Sequence, residues 1–193
     1  TGQRQSDHWA FQPIVRPTLP SPKTKHLAKN PIDLFVLAKL HDLGLEPSPR
    51  ADRNTLIRRL YLDLLGIGPT IEQINKFVGN DNPAAYEELV DEILASPRYG
   101  ERWGRHWLDP AGYAESEGGT GNDPKRPHDW HYRDYVFNAF NSNKPIDQFR
   151  REQIAGDLIA RGKPDARFRE RVIATGFLAL SIRNGIFKHY HPE

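Results

Sequence analysis

Apolar residues recur every three or four positions along most of the chain after residue 30, which is the spacing of a helix that buries one face. Four such segments begin at a capping residue or a proline and stop at a glycine or before a proline. They lie at 30–44, 52–66, 70–78 and 82–96. Because short loops join them, we expect four helices that pack as one unit. In the first helix, the apolar residues at this spacing are Ile32, Phe35, Val36, Leu40 and Leu43.

Four more helices are predicted in the second half of the chain. Residues 99–113 place aromatic side chains at helical spacing and are broken near Pro110 and Gly112. Segments 130–140 and 145–156 repeat the pattern. The last helix, at 165–180, would turn inward Phe168, Val172, Ile173 and Phe177. No segment alternates apolar and polar residues as a half-buried strand does, so the sequence predicts an all-α fold.

Two segments lack this periodicity. Residues 1–29 contain four prolines, so we expect an extended arm in which Trp9, Phe11, Ile14 and Val15 are able to dock. Residues 115–129 form a polar loop, and so long a loop in a compact domain is usually functional or mobile. The expected organisation is therefore an arm at 1–29 and one compact all-α domain at 30–193, with helical halves at 30–96 and 97–193.

Composition excludes several classes of protein. The 193 residues contain no cysteine, which excludes disulfides, thiolate metal sites, a cysteine nucleophile and covalently attached haem within the chain. A net charge of +2 argues against nucleic acid as a partner. No apolar run reaches the length of a transmembrane segment. No motif of a phosphate-binding loop or of a hydrolase triad is present.

Eight short motifs follow one another along the chain. They are HWAFQP at 8–13, NPID at 30–33, LIRR at 56–59, LASPRYGERW at 94–103, HWLD at 106–109, YRDYV at 132–136, REQIAGD at 151–157 and ATGFL at 174–178. In this order they resemble the planctomycete cytochrome c-associated domain of unknown function. The resemblance implies part of an exported protein, periplasmic or at the cell surface, whose neighbour is a cytochrome c module. Since the chain has no C-x-x-C-H segment, we expect haem c only in a partner or neighbouring module.

The densest group of chemically capable residues lies at 101–113 and 130–134. One interpretation is a pocket that binds a flat ring or a sugar face. Its walls would be Trp103, Trp107, Tyr113 and Trp130. Its candidate catalytic groups are His106, Asp109, His131 and Arg133, with histidine as general base and arginine as anion anchor. The other interpretation is that Trp103 and Trp107 belong to the core, and that Arg102 and Asp109 form a structural ion pair.

Metal binding is a further hypothesis. Two histidines three residues apart could share a transition metal, and the acids of the polar loop offer oxygen ligands for Ca²⁺. The candidate ligands are His128, His131, Glu115, Glu117 and Asp123. Alternatively, Asp129 caps a helix and the histidines face solvent. His189 and His191 are candidate axial ligands for the haem of a neighbouring module.

These features together predict a non-catalytic binding or scaffold module in a redox assembly, with a role in electron transfer, or in a polysaccharide-related assembly. The partner would be a cytochrome c module or a larger protein. The alternative is an enzyme with an aromatic-lined pocket of histidine, aspartate and arginine, either metal-dependent or part of an oxidoreductase.

Overall fold

The computed structural model describes residues 8–116, 123–162 and 165–180. Within them lie eight α-helices: α1 Pro31–Asp42, α2 Arg53–Leu65, α3 Ile71–Val78, α4 Ala85–Leu94, α5 Pro97–Leu108, α6 Trp130–Asn141, α7 Ile146–Ala160 and α8 Phe168–Ala174. Short 3-10 helices cover Trp9–Phe11, Lys25–Leu27 and Thr175–Ala179. The β-pairing in this part of the chain is one isolated bridge, between Ser116 and Lys125. The all-α prediction is confirmed.

The first three helices begin at the capping residues that the sequence predicts. Asn30 accepts hydrogen bonds from two backbone amides of the first turn of α1, and the Asp33 carboxylate accepts one from the Asn30 amide. Thr70 and Gln73 close the same reciprocal box at α3. Gly66 ends α2 with a φ of 71°, a left-handed conformation that glycine adopts without steric cost. These ends depend on neighbours in the sequence, which is why the sequence predicts them.

Helix α5 begins earlier and ends earlier than the predicted 99–113. Pro97 occupies its first position, where a proline loses no hydrogen bond. After Leu108 the chain turns at Gly112, which has a φ of 70°. The turn lets the Tyr113 amide donate to the Leu108 carbonyl at 3.0 Å. Residues 109–113 are therefore a turn and not a last helical turn.

The last two helices also depart from prediction. Helix α7 continues past Gly156 to Ala160, with non-helical backbone angles at Ala155. The predicted helix at 165–180 is the short α8 followed by a 3-10 turn. Phe168 and Val172 are exposed, so the prediction that they face inward is wrong, whereas Ile173 and Phe177 do pack against the core.

The chain divides into two compact units, residues 1–50 and 51–193. In the first unit, α1 packs against the 3-10 turn at Lys25–Leu27, and Leu37 is the buried large hydrophobic side chain among its described residues. Most of the apolar residues that recur at helical spacing along α1 are exposed: Ile32, Phe35, Val36 and Leu43. The limits of the arm and of the helical halves, at 29 and 96, stay predictions.

The second unit contains two apolar clusters. One joins α2, α3 and α4 through Ile57, Tyr61, Leu65, Phe77, Ala85, Leu89 and Ile93. The sequence predicts four helices that pack as one unit. Three of them, α2, α3 and α4, form this cluster, and α1 belongs to the other unit. The other cluster joins α5 to α8 and the residues after them through Leu108, Tyr132, Tyr135, Val136, Ala139, Phe149, Ala174 and Leu180.

Glycines allow the helices of the second cluster to approach closely. A Cβ placed on Gly104 of α5 would lie 2.6 Å from the Phe137 ring of α6, and one placed on Gly156 of α7 would overlap the backbone carbonyl of Arg171 in α8. Helix α5 therefore packs closely against α6, and α7 packs closely against α8. The buried polar side chains of the described residues, Glu152 and Gln153, lie among these helices.

Candidate functional site

Helix α7 carries two polar side chains into the apolar cluster of the second unit. Glu152 and Gln153 are each only 2% exposed. A buried polar group is costly unless it is hydrogen-bonded, so the partners of these two side chains decide what the site can do. They belong to the motif REQIAGD and, as neighbours on a helix, reach different partners.

Gln153 completes a hydrogen-bonded triangle with Trp107 and Tyr132. The Trp107 Nε1 donates at 3.0 Å to the Tyr132 hydroxyl and at 3.1 Å to Gln153 Oε1. The Tyr132 hydroxyl donates to the same Gln153 oxygen, and Gln153 Nε2 donates to the Phe149 carbonyl at 3.2 Å. Burial raises the pKa of Tyr132 to about 12. The hydroxyl therefore stays protonated and acts as a structural donor.

Glu152 lies at the centre of a second network. It accepts hydrogen bonds from Tyr135 Oη at 3.0 Å, Lys144 Nζ at 2.6 Å and Gln148 Nε2 at 2.7 Å. Lys144 also donates to Glu170 at 2.6 Å, and its Nζ lies 4.5 Å from the centre of the Tyr135 ring. Burial alone would raise the pKa of Glu152, but the bonds from Lys144, Gln148 and Tyr135 hold it below its ordinary value. Glu152 is thus an ionised carboxylate fixed by three donors.

An open cleft of about 220 Å³ adjoins these networks. The rings of Trp107 and Phe149 pack edge to face, with centres 5.0 Å apart and planes at 73°, a favourable aromatic arrangement. Phe140 contributes a further ring. The lining as a whole consists of Tyr99, Trp107, Ala139, Phe140, Asn143, Lys144, Ile146 and Phe149. Its walls are therefore aromatic, and Lys144 links it to the Glu152 network.

Asn143 gives the rim of the cleft a polar group. It has a φ of 48°, a left-handed conformation that asparagine tolerates better than most residues, and it follows the end of α6. Its side chain makes no hydrogen bond to another residue that the structure describes. An amide at the rim can donate to or accept from a bound group.

The structure separates the two tryptophans that the sequence places on one face of α5. Trp103 Nε1 donates to the Leu64 carbonyl at 3.2 Å, so this ring packs toward α2. Trp107 instead packs on Phe149 and belongs to the cluster of α5 to α8. Trp103 is not among the residues that line the cleft described above, and the pocket predicted with both rings as walls stays a prediction. Trp107 lines the cleft described above, together with rings that the sequence analysis did not select.

The predicted ion pair between Arg102 and Asp109 is wrong. The Asp109 carboxylate lies 3.9 Å from Arg105, with both side chains exposed, while the Nε of Arg102 is buried without a hydrogen-bond partner among the described residues. His106 is exposed, and its ring packs edge to face with that of Trp103, with ring centres 5.5 Å apart. His106 is thus a surface group of α5, and Asp109 is a surface group of the turn that follows it.

The other predicted catalytic pair lies at the polar loop. Arg133 donates to the Glu115 carboxylate at 2.8 Å and also pairs with Asp134, and the Tyr113 hydroxyl donates to Glu115 at 3.3 Å. The His131 ring packs on Trp130 with centres 3.7 Å apart. The structure therefore joins Tyr113, Glu115 and Arg133. No hydrogen bond or ion pair between described residues connects this group to His106 or Asp109.

The metal hypothesis gains no support from the described residues. His128 and His131 have nearly parallel rings 6.4 Å apart, and no group of three or more histidine or acidic side chains within the described ranges is placed to hold an ion. Asp129 stands at the start of α6, but its side chain accepts from Arg126 at 3.3 Å and does not cap the helix, so the cap interpretation is wrong. The candidates Glu117, His189 and His191 lie outside the described residues, and metal binding stays a prediction.

Comparison with known proteins identifies the family. Residues 31–191 match the sequence profile of PSCyt2, described as a protein of unknown function (DUF1549). The chain belongs to the PSCyt2 family. No curated protein and no solved structure matches it. The planctomycete origin and the cytochrome c neighbour implied by the resemblance stay predictions.

Sequence reasoning missed most of the residues that this PSCyt2 chain brings together at the cleft. Glu152 enters the sequence analysis only within a motif, Gln153 within that motif and on the predicted helix at 145–156, and Lys144 in neither. One signal was present: Gln153 follows Phe149 by four residues and so shares its buried helical face. None of the described helices of this PSCyt2 chain has the length and apolar character needed to cross a bilayer.

Proposed function

We propose that this PSCyt2 chain is a non-catalytic binding module of a larger exported assembly, and that its aromatic cleft holds one ring or apolar side chain of a partner. The observation that carries the proposal is the cleft itself. Trp107, Phe140 and Phe149 form its walls, and the neighbouring polar groups are already bonded to one another.

The size of the cleft favours a single ring over a whole metabolite. Pockets for drug-sized ligands usually enclose about 300–1,000 Å³, whereas this cleft encloses about 220 Å³. An apolar cavity of about 150 Å³ is enough to bind benzene. The cleft therefore accommodates one aromatic ring or one large aliphatic side chain.

The state of the polar groups favours binding over catalysis. Lys144 donates hydrogen bonds to two carboxylates, and its Nζ lies over the Tyr135 ring. Its ammonium group is therefore already engaged with partners inside the protein. The pKa of Glu152 is held below its ordinary value, which makes this carboxylate a weak base. A general acid or base would have to break these bonds first. The export of the assembly and its cytochrome c partner rest on the family resemblance.

The proposal is tested by ligand-detected NMR of the full chain with toluene as the probe. Toluene offers a ring and no hydrogen-bonding group, and we expect an affinity of about millimolar. The test variant is Ile146→Glu, because Ile146 lines the cleft and is 57% exposed, so a charge there costs little stability. The control is Ile154→Glu, on the same helix and 65% exposed but outside the cleft.

Binding that Ile146→Glu abolishes and Ile154→Glu retains supports the cleft as the binding site. Absence of toluene binding contradicts the proposal, and so does equal loss in both variants.

A further inference from the structure

The first unit of the chain leaves most of its large apolar side chains exposed. Trp9 is 82% exposed and Ile14 is fully exposed. The other large apolar side chains of the arm are at least 49% exposed: Phe11, Val15, Leu19 and Leu27. Several large apolar side chains exposed within one short segment are typical of an interaction surface.

The same segment carries only positive charge. Residues 8–32 contain Arg16, Lys23, Lys25 and Lys29 and no aspartate or glutamate. The whole chain has 27 basic and 25 acidic residues, so this segment is a local segregation of charge within a nearly balanced protein. Its partner must therefore combine negative charge with an apolar phase.

Helix α1 adds a second set of exposed apolar side chains, and it also carries Asp33 and Asp42. Ile32, Phe35, Val36 and Leu43 are exposed and fall on one side of the helix at helical spacing. Lys39 falls within the same stripe. Exposed apolar side chains beside a lysine suit the boundary between lipid headgroups and acyl chains, because the lysine stem lies along apolar surface while its ammonium group reaches the headgroups.

The backbone conformation of the arm favours a lipid surface over a protein groove as its partner. Prolines at four positions between 13 and 22 prevent a helix, and residues 13–21 make no backbone hydrogen bond to another described residue. In the hydrated headgroup region such a backbone stays bonded to water while tryptophan and phenylalanine reach the acyl boundary. Cations without regular spacing also match a continuous anionic surface better than a shaped groove.

We propose that residues 8–29 and the exposed stripe of α1 form a docking surface for an anionic lipid bilayer. Arg16, Lys23, Lys25 and Lys29 would contact the headgroups, and Trp9 and Phe11 would enter the interface. The inference does not depend on the proposed role of the cleft.

The test is cosedimentation of the full chain with vesicles. We expect binding to vesicles of phosphatidylcholine and phosphatidylglycerol in equal parts and little binding to phosphatidylcholine alone. The variant Arg16→Gln, Lys23→Gln, Lys25→Gln, Lys29→Gln should weaken binding by about fivefold per cation, and by roughly several hundredfold in total. A blue shift of the tryptophan emission should accompany binding and should be absent in Trp9→Phe.

A matched control removes the same charge from the second unit. Its four substitutions replace exposed arginines by glutamine: Arg58, Arg59, Arg150 and Arg169. This variant should bind the anionic vesicles almost as well as the natural sequence. Failure to bind anionic vesicles overturns the proposal and leaves the arm to a protein partner. Equal binding to neutral vesicles, or equal losses in the two variants, also overturns it, and circular dichroism confirms that both variants fold.

Discussion

Replacing Lys144 by methionine is the sharpest perturbation of the network beside the cleft. Lys144 and Glu152 form a 2.6 Å ion pair whose side chains are 8% and 3% exposed. Methionine keeps much of the length and apolar stem of lysine but removes the charge. Glu152 would then remain buried with its charge no longer paired.

The expected cost follows from the burial of the pair. Removing one partner of a buried ion pair typically costs about 3–5 kcal/mol. Tyr135 and Gln148 still donate to Glu152 in the variant, so we expect a value near the lower end, about 3 kcal/mol. For a chain of this size, that corresponds to a fall in Tm of about 6–12 °C.

The assay is urea unfolding of the variant, with Lys76→Met as the control. Lys76 and Glu92 are also separated by only 2.7 Å, but their side chains are 70% and 49% exposed. An exposed pair contributes little to stability, because water screens both charges. If the two variants lose the same free energy of unfolding, burial of the Lys144 pair has no energetic consequence and the reasoning is refuted.

Three further predictions follow from single positions. Gly156→Ala should cost about 1–3 kcal/mol, because the new Cβ would overlap a backbone carbonyl, whereas Gly68→Ala, which meets no atom within 4 Å, should be nearly neutral; equal Tm values would contradict this. His106→Ala should change the free energy of unfolding by no more than about 0.5 kcal/mol, because the side chain is exposed, and a larger loss in urea unfolding would show a partner. The pKa of Glu152 is lower in the folded chain than in the unfolded chain, so its stabilisation is complete above the ordinary glutamate pKa and is lost as pH falls through the folded value. Acid unfolding of Glu152→Gln should therefore show a shallower dependence on pH, and an unchanged slope would argue against it.

The parts of the fold that the sequence predicts are the local ones. The capping box of Thr70 and Gln73 and the glycine after α2 involve residues within one turn of each other. Their chemistry is complete in the sequence, so the helix starts and stops at 70–78 and 52–66 are confirmed.

The parts that the sequence does not predict depend on distant neighbours. Helical spacing places Trp103 and Trp107 on the same side of α5, but the Leu64 carbonyl of α2 holds one ring and Gln153 of α7 holds the other. Both partners are remote in sequence. Lys144 is missed for the same reason: its burial results from the approach of α7 and α8 to the end of α6, and its partners are remote in sequence.

The apolar stripe of α1 shows a different limit. Spacing predicts that Ile32, Phe35 and Val36 lie on one side of the helix, and it assigns that side to a core. The structure leaves these side chains exposed within the first unit. Periodicity shows which residues share a face, but not whether the chain supplies something to cover it.

The most direct test of the proposed cleft is a two-dimensional NMR spectrum of the four tryptophan indole N–H groups during a toluene titration. The account predicts that the Trp107 signal shifts, because its ring lines the cleft, and that this N–H remains protected from exchange with solvent by Tyr132 and Gln153. The signals of Trp9, Trp103 and Trp130 should stay in place. A shift of the Trp130 signal without a shift of the Trp107 signal would contradict the account, because it would indicate that toluene binds near the polar loop.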